Sequence, residues 1–143
     1  MLENFMEHYF KIEKAYRKYF QAEMEEYQIT PNEILVLLFL CRNDSSANTA
    51  KDIAQNVGVS KGLIARSVEH LAGRGYLRAE RDAADRRVVH LYLTDAAGEP
   101  AEKIFLRHES FIARLGQGIP EEKLRVNMQT IRNFVENISS ADF

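Results

Sequence analysis

The chain has 143 residues, of which 45% are hydrophobic and 28% charged, a mixture ordinary for one globular domain. Its single cysteine excludes an intramolecular disulfide framework and favours a reducing cytoplasm. No apolar run approaches the ~18 residues of a membrane span, and the first residues lack the pattern of a secretory signal. We therefore expect a cytoplasmic protein with a single domain over 1–143.

The net charge of −2 is unevenly distributed along the chain. Residues 49–93 contain eight basic and five acidic side chains, whereas acidic side chains are in excess on both flanks. A basic centre between acidic flanks is typical of a local DNA-contacting surface. The surplus is small, and a chance fluctuation in composition is the alternative explanation.

Apolar residues recur at spacings of three and four over residues 2–27, which predicts one long helix. Phe10 and Ala15 widen its apolar surface beyond a single stripe. A wide apolar face near the end of a short chain favours burial against a second subunit. Packing against the body of the same chain is the alternative.

A second helix is predicted to begin at Thr30, with Pro31 at its first position and Glu33 completing a capping box. The following run, Ile34–Cys41, is apolar on nearly all sides, so this helix should be central and buried. Cys41 is therefore interpreted as a buried structural thiol. The helix should end near Asn43, before a polar linker over residues 44–48.

Two short helices, 50–57 and 61–73, are predicted to meet at Gly58. Thr49 and Asp52 repeat the capping pattern at the start of the first helix. Gly58 suits the left-handed conformation that ends a helix. Two helices joined in this way form a helix-turn-helix.

Ser60 is placed to cap the second of these helices. Arg66 on its outer face suits a bidentate contact to guanine or a phosphate contact, and Ser60, Lys61 and the free amides suit a phosphate. Ala65 can offer only close approach or contact with a thymine methyl group. The predicted buried residues are Ile64, Val68 and Leu71. The predicted outward residues are Lys61, Gly62, Ala65, Arg66, Glu69 and His70.

Two strand-like runs, Tyr76–Arg81 and Val88–Leu93, predict a β-hairpin. Their polar connection, residues 82–87, is too long for a tight turn. Arg86 and Arg87 at its end could reach a minor groove, whose narrow A·T tracts attract arginine. Asp85 is close enough to pair with one arginine and orient it.

Thr94 is predicted to cap a helix that runs to about Leu115. In that helix Pro100 would lie past the first turn, so it should kink the helix or delay its start. Residues 116–118 should break the helix, and Pro120 should open a last helix from 121 to about 138. The predicted buried face of that last helix comprises Leu124, Met128, Ile131, Phe134, Val135 and Ile138.

The loop and second strand carry the most specific pattern in the chain. Asp82-Ala-Ala-Asp85-Arg86-Arg87, followed by Leu91-Tyr-Leu-Thr94, resembles the wing signature of the MarR family of bacterial transcription regulators. Further matches are Ile53-Ala54 before Gly58-Val-Ser60-Lys61, and Leu71 with Gly75-Tyr-Leu77. The order of elements agrees with that family over residues 2–138.

The resemblance implies a mainly α fold with a small β-wing. A winged helix-turn-helix lobe would span 30–94, and helices in 1–29 and 95–143 would form a homodimer. It implies a pseudo-palindromic operator, with recognition helices in successive major grooves. We expect a repressor, with an activator as the alternative. Many members bind a small aromatic or anionic effector between the dimer region and the DNA lobe, so such an effector is one option here.

The family also suggests roles within the wing. The residue at Asp85 typically holds the one at Arg87, while a neighbouring arginine enters the minor groove. The recognition helix departs from the usual pattern, because Gly62, Leu63 and Ala65 stand where Ser or Thr is common. The candidate DNA-contacting residues are Thr49, Ser60, Lys61, Gly62, Ala65, Arg66, His70, Arg81, Asp85, Arg86 and Arg87.

We predict no catalytic, cofactor or metal site. The chain shows no nucleophile with a base, no phosphate loop and no paired carboxylates in an apolar setting. Its four histidines show no short ligand spacing, and Cys41 does not match the peroxide-sensing cysteine of some MarR members. The main alternative is a winged-helix module that binds protein, but arginines in the wing favour double-stranded DNA.

Overall fold

The computed structural model describes residues 1–42 and 47–141 and confirms a mainly α fold with a two-stranded wing. The elements are α1 (Phe5–Tyr19), α2 (Gln21–Tyr27), α3 (Pro31–Arg42), α4 (Ala50–Val57), α5 (Lys61–Gly73), β1 (Leu77–Arg81), β2 (Val89–Leu93), α6 (Gly98–Leu115) and α7 (Glu121–Ser139). The chain forms two compact units, residues 1–109 and 110–143. The assignment of 1–143 to one domain stays a prediction.

The prediction of one helix over residues 2–27 is wrong, because the helix is interrupted at Phe20, between α1 and α2. The Phe20 backbone has φ −92° and ψ 3°, and its amide donates to the carbonyls of both Tyr16 and Arg17. This local tightening places the Phe20 side chain in the core, where only 1% of it is exposed. A one-residue break leaves the apolar spacing unchanged, so periodicity could not show it.

The core of the first unit is centred on α3, as predicted. Glu33 and Thr30 form the expected capping box, with Thr30 N donating to Glu33 Oε1 at 3.2 Å and Glu33 N donating to Thr30 Oγ1 at 3.2 Å. The helices α4 and α5 and the strand β2 pack against this helix, and β1 and α6 contribute side chains to the same core. The buried residues are Phe20, Ile29, Ile34, Val36, Leu37, Leu38, Phe39, Ile53, Ile64, Leu71, Leu77, Leu91 and Ile104.

Cys41 corrects a second prediction, because its side chain is exposed at the end of α3. It lies at a shallow cleft with Leu93, Ala101 and Phe105. Loss of solvation there raises the pKa of the Cys41 thiol, and the nearby charge of Arg42 opposes this with a smaller effect. The thiol therefore stays protonated near neutral pH and is a poor nucleophile. Most of the predicted linker, with the predicted helix end at residue 43, lies outside the described residues.

The start of α6 differs from its prediction. The Thr94 hydroxyl makes no cap to the following backbone and donates instead to the Gly75 carbonyl. A 3-10 turn, Asp95–Ala97, follows, and α6 begins at Gly98. The expected delay is thus confirmed, and Pro100 becomes the third residue of the helix. A first-turn amide has no partner within a helix, so the proline costs no hydrogen bond there.

The second unit contains the end of α6 and the whole of α7, whose predicted bounds are confirmed. The predicted buried face of α7 is wrong for the single chain: Met128, Val135 and Ile138 are 48%, 52% and 57% exposed. Periodicity shows that these residues share one face, but one chain supplies nothing within this unit to cover it. None of the described helices is long and apolar enough to cross a membrane.

Candidate nucleic-acid interface

The helix-turn-helix is fixed by short-range caps that the sequence predicted. Thr49 Oγ1 accepts from Asp52 N at 3.1 Å, and Asp52 Oδ2 accepts from Thr49 N at 3.1 Å. Gly58 ends α4 in the left-handed conformation, with φ 68° and ψ 26°. Ser60 then accepts from Leu63 N at 3.3 Å and starts α5. These caps set the direction in which α5 leaves the turn.

The two faces of α5 agree with the prediction. Ile64 and Leu71 are fully buried, and Val68 is partly buried. Ser67 also turns inward, and its hydroxyl donates to the Leu63 carbonyl at 2.9 Å. Periodicity missed Ser67 because the residue is polar. The predicted outward residues are all exposed: Lys61, Gly62, Ala65, Arg66, Glu69 and His70.

The His70 side chain contacts a residue at the start of α3 and so links α5 to α3. Its Nδ1 lies 2.7 Å from Oε2 of Glu33, a carboxylate that is only 2% exposed. The ring therefore helps to satisfy a buried acid. Its contact with DNA stays a prediction, as does that of Thr49, whose hydroxyl donates to Asp52 Oδ2 at 2.8 Å.

The wing is an antiparallel hairpin in which Leu77 pairs with Leu93 and Arg81 pairs with Val89. Leu77 and Leu91 are buried in the core. On the opposite face, Arg78 lies over the Tyr92 ring at 4.6 Å and bonds to Glu80 at 2.8 Å. The hairpin thus has an apolar inner face and a charged outer face.

Asn48 joins the free edge of β2 to the start of α4. Leu91 N donates to the Asn48 carbonyl at 3.0 Å, and Asn48 Nδ2 donates to the Leu91 carbonyl at 3.0 Å. Asn48 is 3% exposed. The residue directly before the Thr49 cap is therefore held against the wing. Sequence reasoning missed this contact, because 43 positions separate its partners.

The wing loop is folded around Asp82, which sequence reasoning quoted but did not assign to the site. Asp82 Oδ2 accepts from the amides of Ala84 and Asp85 at 2.9 and 2.8 Å. Asp82 Oδ1 lies 2.9 Å from His90 Nε2. The hydrogen bond with His90, and then those with the two amides, lower the pKa of Asp82. An aspartate that bonds to amides two and three residues ahead is a local turn signal.

Asp85 holds Arg87, as the resemblance implied. Arg87 Nε donates to Oδ1 at 3.0 Å and Nη2 donates to Oδ2 at 3.1 Å, while Arg87 N also donates to Oδ1. The pairing with Arg87 lowers the pKa of Asp85 and raises that of Arg87. Because the Arg87 side chain is 91% exposed, the pair orients the guanidinium more than it stabilises the fold.

Three other cations of α5 and the wing, Lys61, Arg66 and Arg86, are exposed, and their side chains make no hydrogen bond or ion pair to any residue that the structure describes. Arg81 differs, since its Nη1 donates to the Arg86 carbonyl at 2.8 Å. It therefore supports the backbone from which the Arg86 side chain projects. The free cations are available to an external anion.

Comparison with known proteins shows which regulators this chain resembles. A sequence description of the MarR family matches residues 27–88. The regulator SarT of Staphylococcus aureus is 30% identical over 80 residues, which are 56% of this chain and 64% of SarT. The solved transcriptional regulator PA3341 is 27% identical, with a TM-score of 0.80 over 96% of this chain and 99% of that one.

Residues 27–88 of the chain are thus similar to the MarR family. The chain spans 64% of the length of the curated SarT relatives that it matches. These relatives are named as transcriptional regulators rather than as enzymes, in agreement with the expectation from the sequence.

A third protein shares only its fold with this chain. CouR of Rhodococcus jostii is 18% identical, with a TM-score of 0.68 over 93% of this chain and 90% of CouR. Its structure was solved with p-coumaroyl-CoA bound.

Three of the four histidines contact other side chains, and His8 contacts the Asn4 carbonyl, so they are not grouped. His108 Nδ1, for instance, lies 3.0 Å from the Tyr16 hydroxyl, and burial lowers the pKa of His108. Over residues 1–42 and 47–141, no three His, Cys, Asp or Glu side chains are placed to hold a metal ion.

Proposed function

We propose that this chain is a MarR-family transcriptional repressor that forms a homodimer and binds a pseudo-palindromic DNA site in the cytoplasm. The proposal rests on which cations of the helix-turn-helix and wing already have a partner within the chain. Lys61, Arg66 and Arg86 lack partners in the described part of the chain, while Arg87 is fixed by Asp85. Free cations on two adjacent elements suit the phosphates and groove edges of a duplex.

The two elements would act on different grooves. We assign α5 to the major groove, where Arg66 contacts a base edge or phosphate and Ser60 with Lys61 contacts phosphate. Gly62 and Ala65 permit close approach of the helix. Arg86 would enter the minor groove, and Thr49, His70, Arg81, Asp85 and Arg87 would contact or orient the adjoining backbone.

A second copy of the chain would cover apolar surface that each unit exposes by itself. In the first unit, α1 has no buried residue, and Met6, Tyr9 and Phe10 are each at least half exposed. In the second unit, α7 also has no buried residue. Contiguous apolar surface of this extent is typical of a subunit interface. A twofold dimer would present two α5 helices to half-sites about one turn, ~34–36 Å, apart.

An effector site is supported by a cavity of about 330 Å³ in the first unit. This volume suits one small aromatic molecule. Arg17 supplies a positive charge at the wall, although it also pairs with Glu13. The lining includes Tyr9, Tyr16, Arg17, Phe20, Gly58 and Val59. Because Gly58 and Val59 belong to the turn before α5, an aromatic anion bound there could shift α5 and release DNA.

The proposed function can be tested by selecting fragments of the source genome's DNA with the purified protein. The selected duplex is then titrated by fluorescence anisotropy. The double variant Arg86→Ala with Arg87→Ala should lose at least tenfold in affinity, while Lys123→Ala with Arg125→Ala, which removes the same charge from α7, should lose far less. If no fragment is enriched and the chain captures protein instead, it is a protein-interaction module.

The effector is tested on the same protein–duplex complex with benzoate as the probe. Benzoate should release DNA from the wild type and act more weakly on Arg17→Ala. An equal response of both proteins would place its action outside this cavity, and no response would show that benzoate is not an effector.

A further inference from the structure

His90 lies between two side-chain oxygen atoms on β2. Its Nε2 is 2.9 Å from Asp82 Oδ1, and its Nδ1 is 2.6 Å from Asn48 Oδ1. A neutral imidazole can donate from only one of its nitrogens. Which nitrogens carry hydrogen therefore follows from whether these oxygens can donate.

Neither oxygen can donate a hydrogen to the ring. Asn48 Nδ2 donates to the Leu91 carbonyl at 3.0 Å, which fixes the side-chain amide with Oδ1 towards His90. The lowered pKa of Asp82 keeps its carboxyl ionised, with no hydrogen to give. Both contacts are then hydrogen bonds only if His90 carries a hydrogen on each nitrogen, which is the imidazolium form.

The other acidic groups of the neighbouring elements have partners of their own. On β1, Glu80 is the register partner of His90, and its carboxylate holds Arg78. In α4, Asp52 closes the capping box beside Asn48. In the wing loop, Asp85 is paired with Arg87.

The charged groups of α3, which also packs on β2, are directed elsewhere. Glu33 bonds to His70, and Arg42 donates to the Leu38 carbonyl at 3.3 Å. Arg81 donates to the Arg86 carbonyl. Asp82 is thus the one charged group in direct contact with the ring among the described residues.

The same two bonds connect the helix-turn-helix to the wing tip. Asn48 directly precedes the Thr49 cap of α4. Asp82 opens the wing loop and accepts from the amide of Asp85, which in turn holds Arg87. A route of hydrogen bonds thus runs from the start of α4 through the ring of His90 to the arginines of the wing.

We propose that the imidazolium form of His90 is the positioning element that fixes the wing to the helix-turn-helix, so that its loss of a proton weakens DNA binding. The inference rests on the proposed function. The direction of the pH effect follows from the geometry. Both hydrogen bonds of the His90 ring are present at low pH, and one is lost as rising pH removes the proton. The wing loop and Arg86 are then held by the hairpin alone.

Nuclear magnetic resonance of the full-length protein without DNA tests whether the imidazolium form of His90 fixes the wing to the helix-turn-helix. The ring nitrogens of His90 are identified by their absence from His90→Gln and followed as the pH is raised. We expect the amide signals of Ala84 and Asp85 and the side-chain amide of Asn48 to shift together with proton loss from the ring. Proton loss that leaves those signals unchanged would overturn the inference.

The effect of proton loss on DNA binding is tested by fluorescence anisotropy with the selected duplex over the same pH range. Wild-type affinity should fall as the His90 ring titrates, and His90→Gln should bind about tenfold more weakly at low pH without that step. Asp82→Asn gives a second variant with the same expected loss. His8→Gln, in the exposed part of α1, should behave as wild type. If the fall in affinity with pH persists in His90→Gln and disappears in His70→Gln, it belongs to the contact between His70 and Glu33, and the inference fails.

Failure of the proposed function is distinguishable from failure of this inference. If no duplex binds the wild type, the proposed function fails, whereas the resonance titration still decides whether the ring of His90 holds the wing loop.

Discussion

The cations near the wing and α5 differ in whether another residue already holds them. Arg78, Arg81 and Arg87 are bound to Glu80, to the Arg86 carbonyl and to Asp85. Arg66 and Arg86 have no partner in the described part of the chain. A guanidinium without an internal partner gives up no protein contact when it binds DNA, so these two should contribute most to affinity.

Arg66 is expected to read a base. Arg66→Ala should cost about 1–3 kcal/mol of binding free energy and relax the preference at one step of each half-site. Anisotropy against a set of single-substitution operators measures both effects. Lys61→Ala is the matched control, since loss of a phosphate contact weakens all sequences alike and lowers the salt slope by about 1. A uniform loss in Arg66→Ala would make Arg66 a phosphate contact as well.

Asp85 is expected to act through Arg87. Asp85→Asn should lower DNA affinity about tenfold and leave the unfolding midpoint unchanged, because both side chains are largely exposed. The lowered pKa of Asp85 means that the pair is present at neutral pH and is lost only as the pH falls through that lowered value. Wild type and Asp85→Asn should therefore show the same pH profile over about pH 5–8. A clear fall in thermal stability would instead give Asp85 a structural role.

At the scale of elements, local signals predicted most of the site. The boxes at Thr30 and Thr49 and the cap at Ser60 each depend on residues within four positions, so sequence alone shows them. The loop signature likewise indicated the pairing of Asp85 with Arg87. Both partners of each contact lie on one short segment.

Contacts between distant segments were not predictable in this way. Asn48 and His90 are 42 positions apart, and no spacing rule links them. The exposure of Cys41 and of the α7 face was also missed, because periodicity shows which residues share a face but not what covers them. Phe20 breaks the first helix without disturbing the apolar pattern.

The turn between α4 and α5 offers a test of backbone conformation with a built-in control. Gly58 has φ 68°, and a Cβ there would meet no atom within 4 Å. Gly58→Ala should therefore lower the free energy of unfolding only by the cost of a left-handed alanine, about 1–2 kcal/mol. Gly62 lies in α5 with equal space, so Gly62→Ala should stabilise by about 0.5–1 kcal/mol. Urea unfolding at one protein concentration measures both. Two changes of the same sign would refute the assigned conformations.

At the scale of the whole molecule, assembly and DNA binding should be coupled. A duplex with two half-sites is held by two α5 helices only when the frame between them is intact. The residues of α7 belong to neither the helix-turn-helix nor the wing, so a change there should alter affinity through assembly. That separation makes α7 the place to test the dimer without touching the candidate interface.

Val135→Glu should convert the dimer into a monomer. Val135 is 52% exposed in the single chain, and burying a carboxylate in an apolar subunit interface is costly. Sedimentation should give about twice 16.5 kDa for wild type and 16.5 kDa for the variant. Affinity for the full operator should fall at least tenfold, while affinity for a single half-site should change little.

Asn127→Glu adds the same charge at an exposed polar position of α7 and should remain dimeric. Circular dichroism of each variant separates loss of assembly from loss of fold. If Val135→Glu keeps its helicity and still sediments as a dimer, the apolar face of α7 does not lie between subunits. If instead wild type is a monomer that binds the full operator tightly, the dimer proposal fails while the proposed DNA contacts of α5 and the wing stand.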